Sequence, residues 1–251
     1  MPLMPLISII VPYYKKKFFI SRCLRSIYKQ SYSNYEVILI YDDDDIKEYQ
    51  YIMSFKKTYR KLRIIKNNKR RGAGQSRNVG IQSAKGGFIA FLDSDDVWHT
   101  EKLKIQITLM KKNNWAISHT SYKIIDRNNI ITKTRRAKNI NFSNLIKSCD
   151  VGLSSVIMKK SLFNNKIKFP NLKTKEDYVL WLKIARKGII IQGIDKVLMK
   201  WQESNNSLSS NTLRKLFDGY SVYRIYMNFS MIKSLYSLLV LSLNFLAKKN
   251  S

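Results

Sequence analysis

Three carboxylates, Asp93, Asp95 and Asp96, crowd into four residues directly after the apolar run FIAFL. Like charges this close repel one another, so the cluster is unfavourable unless a positive group lies beside it. Asp93 and Asp95 are two residues apart, and on an extended turn such side chains point the same way. Clustered carboxylates without His or Cys suit a hard divalent ion, Mg²⁺ or Mn²⁺, which commonly bridges to substrate phosphates. The pattern favours a metal–diphosphate site; the alternative is an Asp-rich turn that caps the next helix.

A second acidic run, residues 42–45, follows the apolar segment EVILIY. Asp42 comes first after that segment, and its position favours a contact with a nucleotide. Carboxylates at the start of a helix complement the positive end of the helix dipole. The rest of the run, including Asp44 and Asp45, therefore fits an N-cap for the following helix.

Two further segments carry candidate residues. GAGQSRN (72–78) fails the dinucleotide fingerprint because Arg77 stands in place of the third glycine. A glycine-rich helix start with an arginine still suits the anionic part of a nucleotide, the alternative being a plain helix entry. Glu176 and Asp177 begin a later helix, where Asp177 is a candidate general base for a hydroxyl nucleophile, or only a capping group. His99 and His119 are isolated and are expected to be structural or solvent-facing.

The elements that must position these residues alternate between apolar strands and amphipathic helices. We expect strands over 6–11, 36–41, 63–66 and 88–92, and helices over 18–30, 46–60, 74–84 and 100–113. Pro12 is expected to end the first strand, and Thr100 to cap the fourth helix. This alternation predicts an α/β domain with a largely parallel sheet. Ligands bind such sheets at the carboxyl ends of the strands, where both acidic runs begin.

Beyond residue 113 the pattern is looser. We expect a strand over 115–126 paired in a hairpin with NIITK, a polar, loop-like stretch over 133–150, and a helix over 176–188 that ends at Gly188. Two further helices are expected over 211–229 and 230–248. In the last one, Ser234, Ser237, Asn244 and Lys248 share one side. It therefore reads as an interfacial helix in a lipid headgroup region, or as one that packs on the domain or on a second copy.

The composition is strongly basic. Among 251 residues, 46 Lys and Arg face 17 Asp and Glu, giving a formal net charge of +29. Such an excess predicts an anionic partner, namely nucleic acid, an acidic membrane surface or a phosphorylated substrate; a solvated lysine-rich surface is the alternative. Two distant cysteines predict a reducing compartment without disulfides. We expect no signal peptide at the N-terminus, and no run reaches the roughly 18 apolar residues of a membrane span.

Six segments in order resemble the glycosyltransferase family 2 enzymes, which have the GT-A fold. They are SIIVPYY (8–14), EVILIYDDDD (36–45), GQSRNVGI (74–81), FIAFLDSDD (88–96), GLSSVIMKKSLF (152–163) and KEDYVLWLKIARKG (175–188). Two features depart from the family. Tyr41, Asp42, Asp43 and Asp44 stand where Asp-Asp-Gly-Ser is usual, and WQESNNSL lacks the histidine that many members carry near residues 200–207.

The resemblance implies a fold and a division of the chain. The fold is an α/β, Rossmann-like GT-A domain, with a mixed, mainly parallel sheet flanked by helices. The catalytic domain is expected over residues 1–205. A C-terminal helical extension, membrane-associating or dimerising, is expected over residues 206–251.

The resemblance also implies residue roles. Asp177 is the expected catalytic base, and Asp95, helped by Asp93, the expected ligand of Mn²⁺ or Mg²⁺. The implied nucleotide-binding residues are Pro12, Tyr14, Asp42, Arg77 and Asp93. The implied contacts to the donor sugar and the acceptor are Ser154, Ser155, Glu176 and Trp181.

The implied activity is inverting transfer of a hexose from a nucleotide-sugar, of the UDP-glucose or UDP-galactose type, to a hydroxyl of a lipid-linked sugar. The implied context is O-antigen, capsule or lipooligosaccharide synthesis, at the inner face of the cytoplasmic membrane. A homodimer is a further possibility. The rival classes are a metal-dependent nuclease or nucleotidyltransferase and a basic nucleic-acid-binding protein. The latter would need a helix-turn-helix, a stacking sheet or a clustered basic face, none of which is evident.

Overall fold

The computed structural model of the chain describes residues 4–203 and 212–250. The strands are β1 (Ile7–Tyr13), β2 (Tyr35–Tyr41), β3 (Leu62–Lys66), β4 (Phe88–Phe91), β5 (Val97–Trp98), β6 (Ile117–Ile125), β7 (Ile131–Arg135), β8 (Ile157–Lys159) and β9 (Gln192–Gln202). The helices are α1 (Lys17–Tyr28), α2 (Ile46–Thr58), α3 (Ala73–Ser83), α4 (Lys102–Lys112), α5 (Phe142–Leu145), α6 (Glu176–Ala185), α7 (Thr212–Ser221) and α8 (Met231–Asn250). A π-helical segment, Val222–Tyr226, follows α7.

The strands of the described residues form one curled sheet in the order β3-β2-β1-β4-β8-β6-β9-β5, with β7 paired to β6. The strands β3, β2, β1 and β4 are parallel neighbours, and β6 also runs parallel to β9. The other pairings are antiparallel. The predicted mixed α/β sheet with flanking helices is therefore confirmed, as is the β6–β7 hairpin.

The parallel strands are apolar throughout because both faces of the sheet are covered. Successive side chains of a strand point to opposite faces. Ile9 and Val11 pack on one side, in a cluster with α1 and α4, whereas Ile10 packs on the other side, in a cluster with α6. A Cβ at Gly80 would lie 2.6 Å from Ile10, so only glycine lets α3 approach β1 this closely.

Several predicted element boundaries are wrong. The stretch over 133–150, expected to be loop-like, contains the end of β7 and the short helix α5. Pro12 does not end β1, which runs on to Tyr13 beside β2. On the other side β4 pairs with β1 only as far as Ile10, so the missing proline N–H leaves no ladder bond unmade. Thr100 does not cap α4, because the N-cap residue is Glu101 and no side-chain bond caps the helix.

Three strands escaped the sequence analysis: β5, β8 and the long β9. Lys and Gln residues interrupt the apolar pattern of β9, and its register against β6 shifts twice, near Ser121. A strand that is irregular in this way shows no clean alternation of polar and apolar residues. The sheet partner, rather than the local sequence, defines it.

The segment from α7 to α8, here called the extension, packs on α6. Tyr223, Phe229 and Leu241 belong to the same core cluster as Tyr178 of α6. No helix among the described residues has the length and apolar character needed to cross a bilayer. The expected domain boundary at residues 205–206 lies outside the described residues. So does most of WQESNNSL (201–208), the segment without the histidine that many family members carry.

Candidate active site

The carboxyl ends of the parallel strands bring both acidic runs to one edge of the sheet. The N–H of Asp42 donates to the Tyr13 carbonyl at 2.9 Å, continuing the pairing of β2 with β1. The N–H of Leu92 donates to the Ile10 carbonyl at 3.1 Å, continuing the pairing of β4 with β1. Asp42 and Asp93 therefore leave the sheet on either side of β1, as predicted.

Two cations of the chain itself lie against the turn of residues 93–96. Arg77 Nη2 is 2.6 Å from Asp93 Oδ1, and Lys16 Nζ is 2.6 Å from Asp95 Oδ2. Burial raises the pKa of the Asp95 carboxyl, and Lys16 opposes this shift. These ion pairs offset the repulsion within the turn, so the chain itself supplies positive groups beside the clustered carboxylates.

Asp96 fixes the turn to the far end of the sheet. It is 1% exposed, and its Oδ1 accepts the N–H of Gln202, the last residue of β9, at 2.9 Å. Its Oδ2 has no hydrogen-bond partner among the described residues. Burial, followed by the charges of Asp95 and Asp93, raises the pKa of this carboxyl well above its usual range.

Arg77 joins the turn to the start of α6. Its Nη1 donates to Glu176 Oε1 at 2.8 Å, while Nη2 holds Asp93. The side chain is 4% exposed, and the two carboxylates outweigh burial and raise its pKa. The predicted contact between Arg77 and the nucleotide stays a prediction; in the structure the guanidinium is a buried bridge between two acidic segments.

Asp177 lies one residue further along α6, and it is partly exposed. Burial raises the pKa of its carboxyl, Arg77 and Lys175 lower it, and Asp93 raises it. These influences bring Asp177 into the same electrostatic neighbourhood as the turn of residues 93–96. Burial also raises the pKa of Glu176 to about 7, against the pull of Arg77.

Asp42 is 3% exposed and holds the loop that precedes α3. Its Oδ1 accepts from the Asn67 side chain at 2.7 Å and from the Arg71 N–H at 2.8 Å. Its Oδ2 accepts the Gly72 N–H at 2.7 Å. A contact between Asp42 and a nucleotide stays a prediction, and the structure adds a role in holding this loop.

The same loop carries Arg70, whose guanidinium lies 3.9 Å from the centre of the Tyr14 ring. Tyr14 is half-buried just beyond β1, whereas Pro12 is buried within the strand. Tyr14 is thus partly accessible for the predicted nucleotide contact, and the predicted contact of Pro12 stays a prediction.

Three predicted sugar contacts lie in the interior instead. Trp181 lies on α6 and is 0% exposed in the core. Ser155 is 0% exposed and donates to the Gly152 carbonyl. Ser154 is 2% exposed; its Oγ accepts the Asp93 N–H at 3.0 Å, and its carbonyl accepts the Trp98 indole N–H at 2.7 Å. Of the three, Ser154 holds the turn of residues 93–96 directly. Their contacts to a sugar stay predictions.

The two histidines fit the expected structural roles. His119 is 1% exposed, and its Nε2 lies 2.9 Å from the Lys138 carbonyl. Burial lowers its pKa. The Nδ1 of His99 accepts the Glu101 N–H at 3.3 Å, ahead of α4.

The donor set at the turn suits a hard divalent ion chemically, since it consists of carboxylate oxygens. Asp93 and Asp95 keep 31% and 15% of their side chains exposed, so both remain accessible to solvent. Among the described residues, however, no three His, Cys, Asp or Glu side chains converge as a metal site would require. An ion would therefore need the oxygens of a ligand as well, as Mg²⁺ does when it is bound by one or two carboxylates and a diphosphate.

Sequence reasoning missed the residues that hold the turn from α1. The lysine run at residues 15–17 carries no local signal for a site, yet Lys16 pairs with Asp95. Arg22 donates to the Asp95 carbonyl at 2.9 Å and also to the Gln202 side chain. The position of Arg22 five residues after the start of α1 gives no local signal, because its partners lie on other elements.

Comparison with known proteins defines the class. The family model described as Glycosyl transferase family 2 matches residues 8–182. A glucosyltransferase of Escherichia coli, UDP-Glc:alpha-D-GlcNAc-diphosphoundecaprenol beta-1,3-glucosyltransferase WfgD, is 35% identical over 212 residues, covering 84% of this chain and 82% of its own. The chain therefore belongs to glycosyl transferase family 2 and is a glycosyltransferase.

Two solved structures share the fold. S. aureus TarS in complex with UDP-GlcNAc superposes with a TM-score of 0.73 at 22% identity, over 92% of this chain and 70% of that one. The mannosyltransferase PcManGT from Pyrobaculum calidifontis, in complex with GDP-Man and Mn²⁺, gives a TM-score of 0.69 at 14% identity, over 100% and 76% of the two chains. The GT-A-like architecture is thus confirmed.

Proposed function

We propose that the protein transfers a hexose, with inversion, from a UDP-sugar to a hydroxyl of a sugar carried on undecaprenyl diphosphate, in the synthesis of a bacterial surface polysaccharide. The observation that carries the proposal is the 35% identity to a transferase named for that donor and acceptor class. The network from Asp93 through Arg77 to Glu176, with Asp177 beside it, supports the proposal, since it gathers acidic groups with separate tasks at one edge of the sheet.

In the proposed reaction, the acceptor hydroxyl oxygen attacks the anomeric carbon from the side opposite the diphosphate. The bond from that carbon to the diphosphate oxygen breaks, UDP leaves, and Asp177 takes the hydroxyl proton. Its raised pKa makes the Asp177 carboxylate a stronger base than an exposed aspartate. Arg77 stays ionised between Asp93 and Glu176 and keeps both segments aligned.

Asp95 and Asp93 would hold Mn²⁺ or Mg²⁺ together with the diphosphate. A bound divalent ion neutralises the charge that develops on the leaving diphosphate. The accessible carboxylates of this turn support the assignment, and so does the Mn²⁺ of PcManGT. Lys16, 2.6 Å from Asp95, would then move to a diphosphate oxygen or to solvent.

The proposed acceptor is membrane-bound, and α8 offers a surface for the membrane. Its polar side faces the protein: Ser234 is 0% exposed, Ser237 is 5% exposed, and Asn244 donates to the Lys147 carbonyl. Its apolar side faces outward as one stripe at helical spacing, made up of Ile232, Leu235, Tyr236, Leu239, Leu243 and Leu246. The helix thus packs on the domain and still leaves a broad apolar surface free.

Charge favours an anionic bilayer as the occupant of this surface. Residues 212–250 contain six Lys and Arg and one carboxylate, Asp218, which is buried. Beside the extension, an open pocket of about 370 Å³ is lined by Lys166, Lys183, Arg186, Lys187, Tyr226 and Met227. An apolar surface together with an excess of cations fits a headgroup region, where each basic residue near the surface contributes about 1 kcal/mol.

The activity is tested by offering the purified protein a panel of UDP- and GDP-sugars with a GlcNAc-diphosphoundecaprenol acceptor. We expect one UDP-hexose to be transferred, with a β-linkage in the product. Asp177→Asn should keep UDP binding and lose turnover, because shape is retained and basicity is lost. Weaker UDP binding with full turnover would remove Asp177 from the role of base.

The membrane surface is tested by sedimentation with vesicles of phosphatidylcholine alone or with phosphatidylglycerol. We expect binding to the anionic vesicles at low salt and its loss in the double variant Leu235→Glu, Leu239→Glu. Ile130→Glu, an equally exposed apolar residue at the β6–β7 turn, is the matched control. A lipid-free dimer that the double variant dissociates, without vesicle binding by the wild type, would assign the stripe to a second copy instead.

A further inference from the structure

A residue of the extension holds the segment that leads into α6. The backbone N–H and the Oγ1 of Thr174 both donate to Oδ2 of Asp218, at 3.1 and 2.7 Å. Asp218 is 1% exposed and Thr174 is 8% exposed, so water does not compete freely for these bonds. Asp218 lies on α7, beyond residue 182 where the family match ends.

The held segment is conformationally strained. Lys175 follows Thr174 and has a φ of 63°, in the left-handed region that a residue with a side chain enters at a cost of about 1–2 kcal/mol. Its carbonyl accepts the Val179 N–H at 3.1 Å, which makes it the N-cap of α6. A Cβ at Gly219 would lie 3.5 Å from Cε of Lys175, so α7 also packs against this side chain. Such a conformation persists only where its surroundings hold it.

The direction in which α6 begins decides where Asp177 points. Glu176 is held by Arg77 on one side, and Thr174 is held by Asp218 on the other. Asp177 is three residues beyond Thr174, and within the described part of the chain its carboxylate accepts the N–H of the neighbouring Tyr178 at 2.7 Å. The orientation of the Asp177 carboxylate therefore depends on how Thr174 and Glu176 are held on either side of it.

We propose that Asp218 is a positioning residue for the reaction: by holding Thr174 it keeps Lys175 left-handed and directs the Asp177 carboxylate into the cleft. The proposal rests on the proposed role of Asp177 as the base. It gives the extension a catalytic task, because the helices that carry the lipid-facing stripe also brace the base. Misplacing a reacting group by about 1 Å can cost as much as a hundredfold in rate.

The test compares Asp218→Asn, Thr174→Val and Thr174→Ser with the wild type. Hydrogen exchange is followed at the amides of residues 174–177. Turnover is followed with UDP-glucose and GlcNAc-diphosphoundecaprenol, and binding with UDP. We expect Asp218→Asn and Thr174→Val to speed exchange and to lower kcat about tenfold, with the Kd for UDP within about twofold of wild type. Thr174→Ser keeps the hydroxyl and should retain the wild-type rate.

Asn244→Ala is the matched control, because it weakens the packing of the extension on the domain far from Thr174, where Asn244 donates to the Lys147 carbonyl at 2.9 Å. An equal loss of kcat in this variant would overturn the proposal, since general loosening would then explain the effect. Unchanged hydrogen exchange in both Asp218→Asn and Thr174→Val would overturn the proposal, whichever substrate is used. Faster hydrogen exchange with an unchanged kcat would also overturn it. Wild-type turnover in Asp177→Asn is a different outcome: it would show that Asp177 is not the base, whatever the effect of Asp218.

Discussion

Two acidic runs leave the sheet on either side of β1, and they are neutralised in different ways. In the run at residues 42–45, backbone N–H groups meet the carboxylates: those of Arg71 and Gly72 bond Asp42, and that of Glu48 bonds Asp45. In the run at residues 93–96, the side-chain cations of Arg77 and Lys16 lie against Asp93 and Asp95. Asp96 resembles the first run, because it accepts the Gln202 N–H.

The difference separates carboxylates that hold the fold together from carboxylates that are available to a ligand. A backbone N–H is fixed by the fold, so a carboxylate bonded to it is a structural part of a loop or a helix cap. The ammonium group of Lys16, by contrast, lies at the end of a flexible side chain that is 29% exposed. Such a cation can give way to another positive group. The predictions below test this division, from the largest expected effect to the smallest.

The largest effect is expected at Asp95. Asp95→Asn keeps the shape and removes the charge, so it should lower the transfer rate a hundredfold or more, equivalent to about 2.7 kcal/mol or more in the transition state. Excess EDTA should do the same to the wild type, with restoration by Mn²⁺. The measurement is the initial rate of sugar transfer at saturating Mn²⁺.

The matched control is Asp45→Asn, the same chemical change in the other run. Its transfer rate should stay near that of the wild type. If both variants lose activity equally, or if Asp95→Asn stays within about threefold of wild type, the two runs do not differ as proposed.

Asp42 is expected to be the most important of the structural carboxylates. In Asp42→Asn, one oxygen becomes an NH₂ group that faces a donor, the Asn67 amide or the Arg71 or Gly72 N–H. We expect the free energy of unfolding in urea to fall by about 1–3 kcal/mol. UDP binding should weaken as well, because the loosened loop carries Arg70 against Tyr14. Asp44→Asn, at an exposed neighbour, is the control, and an equal loss there would contradict the prediction.

The sequence predicted the sheet edge well and the inner packing poorly. The strands that end at Asp42 and Asp93 are continuous apolar runs with a local signal, and chain order alone puts their carboxyl ends together. Whether a polar side chain of the later motifs faces the cleft or the core depends on contacts between distant elements. Ser154, Ser155 and Trp181 therefore proved to be interior, and Arg77 proved to be a bridge.

Other residues of the site were not predicted because their partners lie far away in the sequence. Lys16 and Arg22 meet the turn of residues 93–96 from α1, and Asp218 reaches Thr174 from α7. No spacing in the sequence encodes such contacts. The helical period of α8 was visible, but which of its sides faces the protein was not, because both a polar and an apolar side recur at that period.

Asp45 should have a smaller and purely structural effect. Its side chain accepts the Glu48 N–H at 2.9 Å and caps α2. Asp45→Ala should lower the free energy of unfolding by about 1 kcal/mol, the usual contribution of an N-cap. The transfer rate should not change. Thermal or urea unfolding measures the first quantity; a loss of transfer rate in a variant that remains folded would place Asp45 in the site and blur the division.

The smallest effect is expected at Lys16, where the exchange of one cation for another can be measured directly. Lys16→Met removes the ammonium group that lies 2.6 Å from Asp95, so a divalent ion no longer competes with it for the carboxylate. A partly exposed ion pair of this kind contributes about 0.2–1 kcal/mol, so the Mn²⁺ concentration for half-maximal activity should fall about threefold. Lys17→Met is the control: it makes the same change of charge one residue away, where the ammonium group lies over Tyr51 instead. An unchanged Mn²⁺ requirement in Lys16→Met, or an equal shift in both variants, would mean that the ion does not displace Lys16 from Asp95. The carboxylates at residues 93–96 would then be structural, like those at residues 42–45.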